Sequence, residues 1–307
     1  MITIGIDTSN YTTSIACFDG QDGVNCSRLL PVKQGELGLR QSDAVFAHTK
    51  SLPELSGRLF SHIQQTQIHA IGVSTRPRWI EGSYMPCFMV GYSHAKLLSD
   101  VLHVPLVEVS HQQGHVAASL WSAKRLDLMD VPHLAWHLSG GTTELLLVEP
   151  DGRNVKCTRI GGTTDISAGQ LIDRTGVMLD LPFPCGKHLD ALSKDAKLQD
   201  TFQVKCAGTE FSLSGIQNKV QQFYQKEQNP AETAAYALRC VCNAVRKATE
   251  NALCSYPGFP VVFSGGVASN TMLRSSLQEF NPIFAEPQFS TDNAMGVAVL
   301  ANRIAEG

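Results

Sequence analysis

The chain has 307 residues, of which 43% are hydrophobic and 17% charged, so it can bury two packed cores or one large one. Its formal net charge of −3 provides no global basic field, so a nucleic-acid partner must be held by a local patch or recruited by another protein. The nine cysteines include no C-x-x-C pair and no secretory signal is recognisable, which indicates a reduced, cytoplasmic protein. No apolar run is long enough to cross a bilayer, so no membrane partner is expected.

The first predicted elements form a hairpin around a polar turn. Residues 2–7 and 13–18 are rich in β-branched side chains and predict two short strands joined by residues 8–12. Asp7 and the hydroxyl side chains of the turn could face a phosphate or a metal-bound water, although the same residue types are ordinary turn formers. The turn alone is therefore a weak indication of a site.

The next segments predict a scaffold of alternating helices and strands. Residues 43–62 have apolar side chains near helical spacing, and Pro53 is expected to begin or kink that helix. A buried strand at 68–74, a helix at 87–102 and a strand at 105–109 predict a right-handed parallel crossover.

The segment 111–115 carries two histidines four residues apart. On a helix, His111 and His115 lie on one face, close enough for both to hold one metal ion. A carboxylate as third ligand would leave coordination positions open for a substrate, and Asp292 is the best candidate. The alternatives are that the histidines only cap or line a helix, and that Asp292 caps a final helix over residues 292–304.

A second hairpin is predicted over residues 133–148, around the turn 139–143. The glycines of this turn let backbone N–H groups approach a phosphate, and its threonines can donate hydroxyls. Because the two hairpins are alike, we expect a duplicated unit, with each half opening on a strand, a polar turn and a strand.

The remaining chain contains a polar, cleft-lining segment and a further glycine turn. In the predicted helix 167–178, Asp173 could accept from ribose hydroxyls, and the turn at Gly186 could admit a sugar or a base. The alternatives are a solvated acid and a loop glycine. A long helix follows over residues 231–256. Residues 261–277 predict a strand, a paired-glycine turn and a helix whose N-terminus suits a nucleotide, although such turns are common in α/β folds.

Taken in order, these features resemble the tRNA N6-adenosine threonylcarbamoyltransferase family, also called glycoprotease-like, over essentially the whole chain. The most specific shared segments are residues 111–115, 139–141, 211–215, 264–270 and 290–293. The resemblance implies an α/β fold of two ribonuclease-H-like domains of the actin/sugar-kinase (ASKHA) superfamily around a central cleft. It also implies an acyltransferase that moves a threonylcarbamoyl group from threonylcarbamoyl-adenylate to adenosine 37 of tRNA.

Carried onto this sequence, the resemblance implies a metal site and a nucleotide site. His111, His115 and Asp292 would hold one divalent metal ion, with iron or zinc expected. An adenylate or ATP would be the ligand of the nucleotide site, and no catalytic residue is assigned. The residues expected to bind the nucleotide or substrate are His137, Leu138, Ser139, Gly140, Gly141, Asp173, Gly186 and Asn270.

The resemblance also implies a domain division and a set of partners. The N-terminal domain would comprise residues 1–110 and 288–307, and the C-terminal domain residues 111–287. The expected partners are an adenine nucleotide and a tRNA that is bound with help from partner proteins. The sequence leaves open a homo-oligomer or a hetero-oligomer.

Several segments depart from the family pattern. The family motif E-T-S-C-D-(D/E)-T corresponds to residues 7–13, where two acids are lost, and the G-P-G loop corresponds to residues 76–79. The S-G-G-(H/N)-T-Q motif, the D-D-A-A-G-E-A-F-D-K motif and the Y-P-G-G-P motif are changed at residues 139–144, 165–174 and 183–187. The metal ligands and most nucleotide-facing glycines remain, which indicates a divergent paralogue.

Three functions fit this combination. The intact metal-binding pattern favours a metal-dependent transferase of the family's own type. The loss of acids in the first hairpin favours a regulatory or scaffold protein that binds nucleotide and metal without transfer chemistry. An altered substrate wall beside an intact metal site favours carbamoyl transfer to a different acceptor.

Overall fold

The structure is a computed structural model and describes residues 1–9, 11–31, 39–61, 63, 67–199 and 201–306. The chain divides into two compact units. The first comprises Met1–Val131, Glu149–Cys157 and Gln288–Gly307, and the second Pro132–Val148 and Thr158–Pro287. Residues 111–131 and 149–157 therefore belong to the first unit, whereas the sequence analysis places them in the second domain.

Helices and strands follow one another along both units. The strands are β1 (Ile2–Asp7), β2 (Thr12–Phe18), β3 (Gly23–Leu29), β4 (Ile68–Arg76), β5 (Leu106–Ser110), β6 (His133–Leu138), β7 (Thr143–Asp151), β8 (Asn154–Thr163), β9 (Cys206–Ala207), β10 (Glu210–Phe211), β11 (Val261–Ser264) and β12 (Ile283–Phe284). The α-helices are α1 (Gln41–Phe60), α2 (Phe88–Leu102), α3 (His111–Ser122), α4 (Ala168–Met178), α5 (Gly186–Leu192), α6 (Ser214–Glu227), α7 (Pro230–Ser255), α8 (Thr271–Ser276) and α9 (Met295–Ala305). Short 3-10 helices lie at Leu126–Asp130, Ser193–Asp195, Gly266–Ser269, Gln278–Phe280 and Pro287–Phe289.

The two sheets have the same strand order. The first sheet runs β3-β2-β1-β4-β5, with β1 antiparallel to β2 and parallel to β4. The second sheet contains β8-β7-β6-β11-β12, with β6 antiparallel to β7 and parallel to β11, and adds β10 and β9 beyond β8. The predicted duplication and the two predicted hairpins are therefore confirmed, and Asn10 of the first turn lies outside the described residues.

In the first unit, strand alternation separates two packed faces. Ile4 and Ile6 of β1 belong to the core cluster that α1 and α2 help to form. Gly5, between them, faces the other way, because a Cβ atom there would lie 2.5 Å from the backbone of Ala298 in α9. Helix α9 thus packs closely on the face opposite α1 and α2, and α3 packs against α9.

The core of the second unit is built around its longest helix, α7. Pro230 occupies the first turn of this helix, where its missing N–H costs nothing, and the side chain of Asn229 caps the N-terminus. Trp136 of β6 is fully buried, and its indole N–H donates to the hydroxyl of Thr249 in α7 at 2.9 Å. The long helix predicted over residues 231–256 is thus confirmed, with the bounds Pro230–Ser255.

Some predicted boundaries differ from those in the structure. Strand β3 was not predicted, and the helix expected over residues 43–62 runs over Gln41–Phe60 with Pro53 inside it, while His62 lies outside the described residues. The segment after β11 forms the 3-10 helix Gly266–Ser269 before α8 begins, rather than one continuous helix. Among the described residues, no helix is both long and apolar enough to cross a membrane.

Candidate functional site

Helix α3 begins directly at the end of β5, and its first turn is locked by a capping box. The Ser110 hydroxyl accepts from the backbone N–H of Gln113 at 3.2 Å, and the Gln113 amide oxygen accepts from the N–H of Ser110 at 2.8 Å. The amide nitrogen of Gln113 also donates to the carbonyl of Val155 at 2.7 Å. These bonds fix the direction in which His111 leaves the strand.

A glycine contact brings α3 and α9 together. A Cβ atom on Gly296 in α9 would lie 1.8 Å from the carbonyl oxygen of Gly114 and 2.6 Å from the backbone nitrogen of Ala118, both in α3. Because no side chain fits between the two backbones, the histidine helix and the start of α9 approach as closely as helices can. Gly114 stands in the turn between the two histidines, so this contact lies at the site itself.

Asp292 lies in the loop that precedes α9. Asn293 shapes this loop, since its amide nitrogen donates to the carbonyl of Thr291 at 2.7 Å and its amide oxygen accepts from the N–H of Met295 at 3.0 Å. The residue at the N-cap of α9 is Ala294, so Asp292 stands two residues before that position and does not cap this helix. The helix-capping alternative for Asp292 is therefore wrong, and its carboxylate points to the histidines instead.

The three side chains expected to bind a metal converge within the first unit. The Nε2 atoms of His111 and His115 are 2.9 Å apart, and Asp292 Oδ1 lies 3.6 Å from the first and 3.2 Å from the second. One donor atom from each residue lies within 4.8 Å of the others. The exposed fractions of the side chains are 19%, 12% and 31%, so the group is shielded but reachable from solvent.

A second carboxylate, Asp7, holds the other ring nitrogen of His111. Asp7 Oδ2 lies 2.6 Å from His111 Nδ1, and Asp7 Oδ1 accepts the N–H of Ser9 at 2.7 Å. Only 2% of the Asp7 side chain is exposed. Both carboxylate oxygens of Asp7 therefore have partners. Strand β1, which ends at Asp7, thus contributes to the site together with α3 and the loop before α9.

The charges of this group stabilise one another. Burial raises the pKa of Asp292, but hydrogen bonds from His111 and His115 outweigh it and hold the pKa well below its usual range. Burial likewise opposes the charge of Asp7, yet attraction to His111 lowers its pKa. For His111, burial lowers the pKa, but Asp7 and Asp292 together raise it to about 10. The metal-free group thus holds an imidazolium between two carboxylates.

A further histidine lies near Asp7 but stays neutral. His48 of α1 is fully buried, and its Nδ1 lies 2.8 Å from the hydroxyl of Thr13. Burial lowers the pKa of His48 to about 4, against the opposing charge of Asp7. His111 is therefore the cation that pairs with Asp7.

The second unit contains a cavity of about 430 Å³, a size typical of small-molecule sites. It is lined by Gly140, Gly169, Ile172, Asp173, Pro184, Gly186, Lys187, Asp190, Gly266, Val267, Ser269 and Asn270. Four of these residues are glycines, and Ile172, Pro184 and Val267 are apolar. Glycines and apolar side chains therefore form much of its wall.

Four of the residues expected to bind nucleotide line this cavity and four do not. Gly140, Asp173, Gly186 and Asn270 are lining residues. Within the described part of the chain, the other four lie outside the lining: His137, Leu138, Ser139 and Gly141. The side chain of Leu138 is fully buried in the core of the second unit.

The turn 139–143 is docked on the N-terminus of α4. The hydroxyl of Ser167 donates to the carbonyl of Gly140 at 2.6 Å, and a Cβ atom on Gly169 would lie 2.5 Å from the Gly140 Cα atom. The N–H of Ala168 donates to the hydroxyl of Thr143 at 2.8 Å. The hairpin turn and the helix start therefore form one rigid corner of the cavity.

Polar side chains that line the cavity make hydrogen bonds within its walls. Asp173 accepts the N–H of Cys185 at 2.9 Å and so supports the start of α5, while burial raises the pKa of its carboxyl. Asn270 donates to Asp190 at 2.8 Å and accepts from the N–H of Leu273 at 2.9 Å, which caps α8. The same residues thus combine a structural role with a position on the cavity surface.

The sequence analysis missed three contributions to these sites. The pattern Ser-x-x-Gln at Ser110 and Gln113 is a capping-box signal, and it marked the start of the histidine helix. Gly296 is a glycine inside a helix, which signals a close packing contact without naming the partner. The partnership of Asp7 with His111 spans more than a hundred residues and has no local signal.

Solved structures of other proteins share this arrangement. The chain is similar over 99% of its length to HypF from T. kodakarensis, with a TM-score of 0.62 and 12% identity, and it spans 47% of that protein. It is similar over its whole length to a ROK hexokinase from Thermus thermophilus, with a TM-score of 0.54, 14% identity and full coverage of that chain. The duplicated sheets and these likenesses show that the chain has an ASKHA-type α/β fold, so the expected fold class is confirmed.

The sequence comparison narrows this class to one family. The family model described as TsaD, tRNA N6-adenosine threonylcarbamoyltransferase, matches residues 36–299. A protein of that name from Carboxydothermus hydrogenoformans is 30% identical over 314 aligned positions, which cover 97% of this chain and 90% of that protein. The chain belongs to the tRNA N6-adenosine threonylcarbamoyltransferase family.

Proposed function

We propose that this protein is a metal-dependent transferase that moves a threonylcarbamoyl group from threonylcarbamoyl-adenylate to adenosine 37 of a tRNA. The observation that carries the proposal is the convergence of His111, His115 and Asp292, whose donor atoms lie within 4.8 Å of one another. Membership in the family supports the same reaction. A chain that had kept only the family's fold would have no need of this arrangement.

The donor set fits one divalent ion. Two imidazole nitrogens and one carboxylate suit iron or zinc, and three protein ligands leave coordination positions open for a substrate. When bound, the ion supplies a Lewis acid for a carbonyl or phosphoryl oxygen. The protein residues themselves orient the site, since Asp7 holds the His111 ring by its far nitrogen and Gly296 holds α9 against α3.

The cavity of the second unit is the proposed site for the adenosine part of the adenylate. Its volume of about 430 Å³ and its glycine-rich wall suit a nucleoside and leave room for a phosphate near backbone N–H groups. Asp173, Gly186 and Asn270 are the proposed contacts to the nucleoside, and Gly140 the proposed contact near the phosphate. The residues proposed to bind the nucleotide or substrate also include His137, Leu138, Ser139 and Gly141.

In the proposed transfer, one covalent bond forms and one breaks. The exocyclic amine of the adenine attacks the carbamoyl carbon, a C–N bond forms, and the bond from that carbon to the phosphate oxygen breaks. AMP leaves with the electron pair of the broken bond, and the amine loses one proton to solvent or to a base.

The tRNA is the proposed acceptor, bound with the help of partner proteins. A chain with a net charge of −3 has no general attraction for a polyanion, so an associated basic subunit or a local patch must supply it. A tRNA substrate and nine free thiols fit a cytoplasmic protein.

The first test is the metal content of the purified protein, measured by elemental analysis together with its affinity for ATP. Wild type is expected to carry about one metal ion per chain. The double variant His111→Ala, His115→Ala is expected to lose the metal, because one ligand is too few to hold it. The variant His94→Ala serves as the control, since His94 is not one of the proposed ligands and its Nδ1 lies 2.8 Å from the Val90 carbonyl oxygen of its own helix, α2.

Transfer itself is then measured by supplying threonylcarbamoyl-adenylate and tRNA and following the modified adenosine. Metal retained by the double variant would overturn the ligand assignment. A wild type that binds metal and ATP but modifies no tRNA, even with partner subunits present, would favour a different acceptor or a regulatory role over the proposed reaction.

A further inference from the structure

The aspartate at the end of β1 occupies a position that the proposed metal ligands alone do not explain. Asp7 is 2% exposed and lies 104 positions before His111 in the chain, yet its Oδ2 atom approaches His111 Nδ1 to 2.6 Å. The two nitrogens of an imidazole lie on opposite sides of the ring. Asp7 therefore lies behind the ring, on the side away from His115 and Asp292.

We infer that Asp7 is a positioning residue that holds the proton of His111 on Nδ1, so that Nε2 is presented as a lone pair to the metal. This inference rests on the proposed metal site. A carboxylate has acceptor atoms only, so the nitrogen facing it must donate, and the ring must carry its proton on that side. A carboxylate behind a ligating histidine both fixes the ring and strengthens it as a ligand.

The two oxygens of Asp7 have distinct partners, so an amide side chain at this position would be held in one orientation. Oδ1 accepts the N–H of Ser9 at 2.7 Å, and Oδ2 faces His111. In the variant Asp7→Asn, the amide oxygen must take the position that accepts from Ser9. The NH2 group is then turned toward His111 Nδ1, which must accept and therefore cannot carry the proton.

The neutral ring of this variant would carry its proton on Nε2, the atom that the metal requires. The variant Asp7→Ala leaves both tautomers accessible, so it should impair metal binding less than Asp7→Asn although it removes more of the side chain. A purely structural role would produce the reverse order, because alanine removes both buried hydrogen bonds and asparagine keeps at least one.

The test compares the affinity for Zn²⁺, measured by competition with a chromophoric chelator, among wild type, Asp7→Asn and Asp7→Ala. Asp7→Asn is expected to weaken binding by roughly 10–100-fold, and Asp7→Ala by less. The control is Thr3→Val, which removes another buried hydrogen bond of β1, from the Thr3 hydroxyl to Asn302 at 3.1 Å, away from the site. It is expected to bind Zn²⁺ like wild type.

A second readout follows the proton directly. Nitrogen-15 spectra of histidine-labelled protein should show the proton of the neutral His111 ring on Nδ1 in Zn²⁺-loaded wild type, and on Nε2 in metal-free Asp7→Asn. Equal Zn²⁺ affinity of Asp7→Asn and wild type would overturn the inference while leaving the metal site standing. A wild type that binds no Zn²⁺ would overturn the metal site and the inference with it. An equally large loss of Zn²⁺ affinity in Thr3→Val would overturn the inference, because the loss would then follow from damage to the fold.

Discussion

In the first unit, charged side chains from β1, α3 and the loop before α9 converge on one point, whereas in the second unit glycine turns and helix starts enclose a cavity. The first site depends on side-chain atoms, with Asp7, His111, His115 and Asp292 linked by contacts of 2.6–3.6 Å. The second is lined largely by glycines and apolar side chains, and two of its polar residues, Asn270 and Asp190, bind each other and the start of α8.

Two halves of a duplicated fold can therefore carry sites of different chemistry. Both sheets have the same strand order, so the scaffold does not distinguish them. A site of converging charges requires each donor in place, and a change in one element displaces the others. A wall of turns spreads its contacts over many small groups, so single substitutions there are expected to have smaller effects.

The largest effect is expected from Gly296→Ala, which tests whether helix approach holds the charged site together. A Cβ atom there would lie 1.8 Å from the Gly114 carbonyl oxygen, so α9 must move away from α3 and carry Asp292 from the histidines. We expect the free energy of unfolding to fall by about 3 kcal/mol, and metal affinity to fall with it. Denaturant unfolding and metal titration would measure both.

The matched control for this substitution is Gly57→Ala, in α1 of the same unit. A Cβ atom at Gly57 would meet nothing within 4 Å, so alanine should raise the free energy of unfolding by about 0.5–1 kcal/mol through its better helix propensity. Gly296→Ala could also leave stability and metal affinity as high as Gly57→Ala does. That result would contradict the prediction that the site depends on the close approach of α3 and α9.

A smaller effect is expected from pH, and it tests whether the first site stores a proton. The folded-state pKa of His111 is raised to about 10 from its ordinary value of 6.5. Its stabilisation is therefore fully present below pH 6.5 and is lost as pH rises toward 10. In metal-free protein, the free energy of unfolding should fall by about 1.4 kcal/mol per pH unit between pH 7 and 8.5.

The variant His111→Gln separates this contribution from those of other titrating groups. The pKa of His48 is lowered to about 4, so that histidine is neutral in both states above pH 7. Buried thiols such as Cys157, whose pKa burial raises to about 12, add to the slope as the thiols of the unfolded chain ionise near their ordinary pKa of roughly 8.5. His111→Gln should therefore lower the slope by about 1.4 kcal/mol per pH unit, and saturating Zn²⁺ should do the same because the metal replaces the proton. An unchanged slope in His111→Gln would exclude His111 as its source.

The smallest effect is expected at the cavity of the second unit, from Asn270→Ala. The loss of the cap on α8 should cost about 1 kcal/mol of stability, and affinity for ATP should fall by a few-fold. Asn270→Ser is the control, because serine caps a helix about as well but cannot reach Asp190 in the same way. Stability from denaturant unfolding and ATP affinity from calorimetry measure the two effects, and metal content should not change. A tenfold or larger loss of ATP affinity would show that this wall also depends on single side chains.

Local patterns were enough to predict much of this protein. The β-branched runs predicted β1 and β2, the helical spacing predicted α1 and α7, and the interval between His111 and His115 predicted one helical face. Residue types also pointed to Asp292 as a partner for the histidines, through its likeness to a known motif. These features depend on neighbours along the chain, where periodicity and capping preferences act directly.

By itself, then, the sequence determined the element types, the duplicated order and the identity of the converging donors. The tertiary structure was needed to show that α3 begins the site within the first unit, that Asp292 approaches the histidines, and that Asp7 lies behind His111. The physical reason is that these contacts join segments more than a hundred residues apart. Their geometry follows from how sheets and helices pack, including the close approach at Gly296, which no local pattern encodes.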